Sequence, residues 1–172
     1  MKGSWLRRGG LPDTVCDTSP LQYLHQLSLI HLLPAVVGQI IIPPIVAREI
    51  SDGRALGIDL PDVRTLNWIT ERSIQQARPE VTSYGLDPGE TEVLTLALEI
   101  GSPNALVIID ESPARRAALQ LGIGLIGTLG VLLNAKALGI LPAVKPELDH
   151  LNALGFRLAK RTREAVLRLS GE

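Results

Sequence analysis

The chain carries a single cysteine, Cys16, among 172 residues. One thiol cannot build an internal disulfide framework, and it suits a reducing compartment. Aromatic residues are almost as scarce: one Phe, two Tyr and two Trp, 3% of the chain. The core must therefore be built mainly from Leu, Ile, Val and Ala, and Trp5 beside "RRGG", a ring that could stack on RNA, is a weak signal because it stands isolated near the terminus. Neither sign of charge dominates, with 17 Lys and Arg against 18 Asp and Glu and a formal net charge of -1. This balance excludes a general attraction to polyanions or anionic membrane and leaves that work to local basic patches. No apolar stretch reaches the roughly 20 residues of a membrane span before Pro, Gly or charge interrupts it. The opening "MKGSWLRRGGLPDT" has no apolar run of signal-peptide length, so a cytoplasmic protein is expected.

Several catalytic and cofactor signatures are missing too. There is no GxxxxGK[ST] loop for a nucleotide phosphate. His25, His31 and His150 lie apart in amphipathic segments and form no zinc-like cluster. Cys16 has no imidazole partner nearby in sequence and reads as a buried strand residue. "GIGLIG" (Gly122, Gly124, Gly127) has dinucleotide-fingerprint spacing, but it follows a helix and its middle reads as strand. Turn and close-packing roles are the better reading of those glycines.

What the chain does have is aliphatic bulk, 45% hydrophobic overall, arranged in short alternating elements. "TVCD" (14–17), "QIIIP" (39–43), "ALVIID" (105–110) and "IGLIG" (123–127) read as strands, and "VRTLNWIT" (63–70) as a weaker third one. Between them run helical patterns: one from Ser19–Pro20 to about Leu33, and one from Pro44 to Ile50. Further ones start at Asp87 or Pro88 and end at Gly101, start at Ser112–Pro113, and cover about 128–139 and 145–155. Residues 51–61 read as a loop, and "RTREAVLRLSGE" as a final helix or arm. Strands alternating with helices predict one α/β domain, a mostly parallel sheet with helices on both faces.

On this map four acids fall near element boundaries: Asp17 after "TVC", Glu49 in "PIVAREI", Glu90 opening a long helix, and Asp110 ending "LVII". In a parallel sheet, strand ends and the starts of following helices share one edge, where ligands bind. Carboxylates gathered there need protons or cations, and hard divalent ions supply the latter through oxygen ligands. The same acids at the same places also serve as helix caps and dipole partners. Spacing alone leaves both readings open.

The strings "VCDTSPLQYLHQLSLIHLLP", "IIIPPIVAREI", "LDPGETEVLTLALE", "LVIIDESPARRAALQLG" and "LIGTLGVLLNAKALGILP" occur in this order. Together they resemble the PIN-like domain proteins, an uncharacterised group related to the ribonucleases of toxin–antitoxin systems. The likeness spans residues 13–158, leaving an N-terminal extension (1–12) and a C-terminal helix or arm (159–172). It implies a three-layer α/β/α sandwich with a mostly parallel central sheet and an acidic Mg²⁺- or Mn²⁺-dependent endoribonuclease site. Carried over residue by residue, the catalytic and metal-binding acids are Asp17, Glu49, Glu90 and Asp110, with a glutamate at 90 where related toxins commonly have aspartate. Thr18, Ser19, Glu92, Glu111 and Arg115 are the supporting candidates. Arg115 is open between a phosphate contact, a partner for a site carboxylate and a solvated helix arginine, and Lys136 is similarly ambiguous. The implied chemistry is hydrolysis of an RNA phosphodiester by metal-activated water. The implied partners are RNA, a small antitoxin protein and a second copy in a homodimer, with no membrane. The alternative is a catalytically weak or inactive module that binds nucleic acid or protein.

Overall fold

The computed structural model describes residues 11–101 and 104–172. Trp5 and nearly all of the 1–12 extension lie outside them. Five short strands form one sheet: β1 (Asp13–Cys16), β2 (Ile40–Ile42), β3 (Ile69–Glu71), β4 (Ala105–Ile108) and β5 (Gly124–Ile126). Their order is β3-β2-β1-β4-β5, and every pairing is parallel. Thr14 stands opposite Ile40, Cys16 opposite Ile108 and Val107 opposite Leu125. All four residues of β4 and the last three of β1 are buried, as a central parallel strand covered on both faces requires.

Among the described residues the connections between strands carry six helices, α1 (Thr18–Gln26), α2 (Leu32–Val37), α3 (Pro44–Ala55), α4 (Pro79–Thr82), α5 (Pro88–Ile100) and α6 (Ser112–Gln120), and three follow β5, α7 (Thr128–Ala137), α8 (Lys145–Ala153) and α9 (Lys160–Ser170). The β1-to-β2 and β2-to-β3 connections step one way across the sheet, and β3-to-β4 and β4-to-β5 step the other way. Right-handed crossovers therefore send their helices to opposite faces, which makes the three-layer α/β/α sandwich. The core is aliphatic throughout. Val15, Ile40, Ile42, Val107 and Ile108 from the sheet meet Leu21, Leu24, Val46, Val93, Leu94, Leu96 and Leu132 from the helices, all fully buried. Each such side chain contributes about 1.5–3 kcal/mol on leaving water, so few aromatics are needed.

Three local expectations change. The helix read as continuous from Ser19 to Leu33 is two helices, broken where Ser28 takes a left-handed φ of +60°. No Gly or Pro marks that break. The segment 51–55, read as loop, continues α3 through Gly53, where a Cβ would lie 2.5 Å from Leu60 Cδ1. That glycine serves close packing, not a turn. The third strand is only Ile69–Glu71; Val63–Thr65 form a 3₁₀ turn whose Arg64 N–H donates to Asp62 Oδ1 at 3.3 Å. The C-terminal segment is helix α9, held partly by the Glu172 side chain. Glu172 accepts from the N–H groups of Val144 (2.8 Å) and Lys145 (3.0 Å) and pairs with Lys136.

Candidate active site

The carboxyl edge of the sheet is where the acids meet. The Asp17 N–H donates to Ile108 O at 3.1 Å, extending the β1–β4 pairing by one residue and leaving the Asp17 side chain just beyond the strand end. Thr18 starts α1 immediately after it. Glu49 projects from the second turn of α3, and its Oε2 accepts the Thr18 hydroxyl. Across from it, α5 opens with a reciprocal capping box. The Glu90 N–H donates to Asp87 Oδ1 (2.8 Å) and the Asp87 N–H to Glu90 Oε2 (3.3 Å). Gly89, between them, lets the Glu49 carboxylate approach; a Cβ there would stand 3.0 Å from Glu49 Oε1.

These side chains enclose a cleft of about 460 Å³ lined by Asp17, Thr18, Ser19, Glu49, Asp87, Glu90, Glu111 and Pro113. Its two deepest acids are buried, Asp17 at 6% exposure and Glu90 at 5%. Burial pushes the Asp17 carboxyl up from 3.8 to about 7. The Thr18 N–H offsets part of this, while Asp87, Glu49 and Glu90 add repulsion. Burial, with Asp87 close by, also raises Glu90. Among the described residues, no ion pair engages Asp17, Glu49, Asp87, Glu90 or Glu111.

Six of the nine residues singled out from the sequence therefore share one cleft: Asp17, Thr18, Ser19, Glu49, Glu90 and Glu111. The other three lie elsewhere. Asp110 ends the strand next to Asp17's, but its carboxylate turns to the start of α7. Oδ1 accepts the Thr128 N–H at 2.8 Å and Oδ2 accepts the Thr128 hydroxyl at 2.7 Å. Burial raises its pKa, against which the Thr128 bonds and the Arg115 charge act. Arg115 sits in the same knot and donates from Nη1 to Ile109 O at 2.8 Å. Among the described residues it forms no ion pair with a site carboxylate; its charge acts on Asp110 from nearby while Nη1 is bonded to that backbone carbonyl. Glu92 lies further along α5 and does not line the cleft. Lys136 is paired with Glu172, away from these acids.

Two residues escaped the sequence reading. Asp87 was read only as a helix start, yet it lines the cleft; the signal was the D-x-x-E capping spacing in "DPGE", which places two acids on one helix mouth. Thr128 holds Asp110; the signal was a hydroxyl directly after the strand-ending Gly127 in "LIGT".

The donor set is all oxygen, from carboxylates and hydroxyls, and the acids lack a cation partner among the described residues. In chemistry and charge it fits a hard divalent ion. Among the described residues, no group of three or more His, Cys, Asp or Glu side chains converges closely enough to hold one. The fit therefore lies in donor type and charge.

An all-parallel α/β/α sandwich with an acidic cleft at the carboxyl edge of its central strands is a ligand-edge α/β protein. The chain belongs to the PIN domain family, whose model matches residues 13–172. In fold it is similar to a PilT N-terminus domain protein from the hyperthermophilic archaeon Sulfolobus solfataricus, at 22% identity and a TM-score of 0.51. That likeness covers 69% of this chain and 89% of the other. No curated protein matches it. No helix among the described residues is long and apolar enough to cross a membrane.

Proposed function

We propose that the chain is a Mg²⁺- or Mn²⁺-dependent endoribonuclease acting on single-stranded or looped RNA in the cytoplasm. The observation carrying this reading is Asp17: a buried carboxyl pushed up to about 7, facing Glu49, Asp87 and Glu90 without a counter-cation among the described residues. Gathering ionised carboxylates there is costly, and a divalent ion would relieve that cost. Asp17 and Glu90 would hold such an ion, which would supply charge neutralisation at the phosphodiester and acidify a water there.

The chain's own groups divide the remaining work. Asp17, fixed at the end of β1, and Glu90, fixed by its capping bond, are the principal ligands. Glu49 is held at Oε2 by Thr18 and keeps Oε1 free to orient water. Asp87 and Glu111 complete the acidic wall, and Ser19 offers a hydroxyl to substrate or water. Asp110 belongs to the site in this reading as well, acting from its Thr128-bound position. A small antitoxin protein that covers the cleft and a homodimer that pairs two clefts complete the assembly we infer.

A second reading, a binding module without catalysis, is favoured by the absence of a converged three-residue metal set among the described residues. One experiment separates the two. Wild type, Asp17→Asn and Glu90→Gln are incubated with a diverse RNA pool in Mg²⁺, Mn²⁺ or chelator. The nuclease reading expects metal-dependent cleavage by wild type alone. Chelator-resistant cleavage, or wild-type activity in both variants, sinks the site, and binding without cleavage selects the module.

A further inference from the structure

Helix α3 presents different residues on its two flanks. Glu49 faces the acidic cleft, while Arg48, Ser51 and Arg54 recur at helical spacing along the other flank. That flank walls a second groove of about 390 Å³, whose opposite side is built by the 3₁₀ turn carrying Asp62 and Arg64 and by Glu71 at the end of edge strand β3.

The charges in this groove are unevenly committed. Arg54 Nη1 lies 3.1 Å from Asp62 Oδ2, and Arg64 Nε lies 4.0 Å from Asp62 Oδ1. Asp62 is occupied further, since its Oδ1 also caps the 3₁₀ turn. One carboxylate thus answers two guanidinium groups. Arg48 is exposed and takes part in no ion pair among the described residues, and Arg64 is 74% exposed.

The nuclease reading leaves a physical gap that this groove closes. An acidic cleft repels a polyanion, the net charge of -1 offers no general attraction, and aromatics for base stacking are scarce. Affinity must come from local cations beside the cleft. Arg48 directly precedes Glu49, so groove and cleft are separated by one helix, about 10 Å across. Arginine is also the residue best shaped to grip phosphate through paired N–H groups.

We propose that the Arg48–Arg64 groove binds backbone phosphates of the single-stranded RNA whose scissile bond lies in the acidic cleft. This rests on the nuclease reading and supplies its missing source of affinity. Recognition here is of phosphate and is independent of sequence. Glu71, which also lines the groove, opposes the RNA strand and limits affinity.

Binding of a fluorescent 12-nucleotide single-stranded RNA to the full chain in chelator isolates this step from cleavage. Arg48→Ala and Arg64→Ala are each expected to weaken binding about tenfold. Each should also flatten the slope of log affinity against log salt by about 0.7, the loss of one phosphate contact. Glu71→Gln is expected to tighten binding, and Asp17→Asn to abolish cleavage in Mn²⁺ while binding is kept. Unaltered affinity in both arginine variants, with melting temperatures unchanged, overturns the groove. So does equal displacement of the RNA by an acidic decapeptide, which would assign the arginines to protein. Arginine-dependent binding without wild-type cleavage in Mn²⁺ supports the groove and removes the nuclease reading instead.

Discussion

Asp17 concentrates the tension of the molecule in one side chain. Its carboxyl, ordinarily near 3.8, sits at about 7 chiefly because it is buried. Between those values the native state keeps a proton that the unfolded chain releases, so stability falls as pH rises through that window. Once both states are ionised, the native state has lost on the order of 4 kcal/mol through this group. Glu90 and Asp110, also raised, act in the same direction. Thermal melts of the metal-free protein are therefore expected to fall from pH 4 to pH 7.5, and Asp17→Asn to flatten that decline and raise the midpoint at pH 7.5. Glu172 has the opposite sign in a separate window. Held down to about 2, first by Lys136 and then by the Val144 and Lys145 N–H groups, it stabilises above its ordinary range and stops doing so as pH falls toward 2.

Thr128 and Gly127 make the second residue-level case. A Cβ on Gly127 would lie 2.7 Å from Asp110 Oδ1 and 2.9 Å from Arg115 Nη1. Gly127→Ala is expected to destabilise by about 1–3 kcal/mol, as overpacking does, in urea titration. Thr128→Val, which leaves a buried carboxylate oxygen without its hydroxyl donor, is expected to cost about 1.5–3 kcal/mol, and Thr128→Ser to restore most of it. The hydroxyl after Gly127 in "IGT" marks a candidate, but its partner Asp110 comes from a different strand and is chosen by the fold.

At the scale of elements, the start of α5 does two jobs that substitution can separate. Asp87→Ala removes cap and charge together and is expected to lower stability by about 1 kcal/mol. Asp87→Ser keeps a capping oxygen without the charge. If Asp87 serves the cleft, the Ser variant should melt near wild type yet cleave RNA more slowly in Mn²⁺; wild-type activity in both variants would leave Asp87 a cap alone. Most elements were readable in the chain because their signals are local: β-branched runs for β1, β2 and β4, Pro at the first turns of α3, α5 and α6, and Gly101 after α5. The misread ones depended on contacts. Gly53 reads as a breaker until Leu60 is seen packed against it. Ser28 gives no sign of a left-handed turn. β3 is only three residues, two of them exposed, and it exists through its pairing with β2.

For the whole molecule, the acidic cleft links stability to a cation. A divalent ion that binds only the folded state raises stability as RT ln(1 + [L]/Kd). Mg²⁺ or Mn²⁺ is therefore expected to raise the melting temperature more at pH 8, where the acids are ionised, than at pH 5, where protons compete. Calorimetry across that range checks it. A shift independent of pH, or one retained in the Asp17→Asn, Glu90→Gln double variant, would place the ion elsewhere.

From residues alone, the aliphatic alternation implied a parallel α/β sandwich, and ordered motifs pointed to the PIN domain family. Both follow from short-range periodicity and chain order, which survive without coordinates. Six of the nine candidate site residues also proved to share a cleft, because a parallel sheet delivers its strand ends to one edge. Folding alone settled which acids face that cleft. Asp17 and Asp110 look equivalent in the chain, each an aspartate at a strand end. Thr128 draws the Asp110 carboxylate toward α7, while Asp17, uncapped by any side chain, remains in the cleft with Asp87, an acid that the linear pattern had spent on a helix cap. The direction of a side chain depends on partners distant in sequence, and no local spacing encodes it.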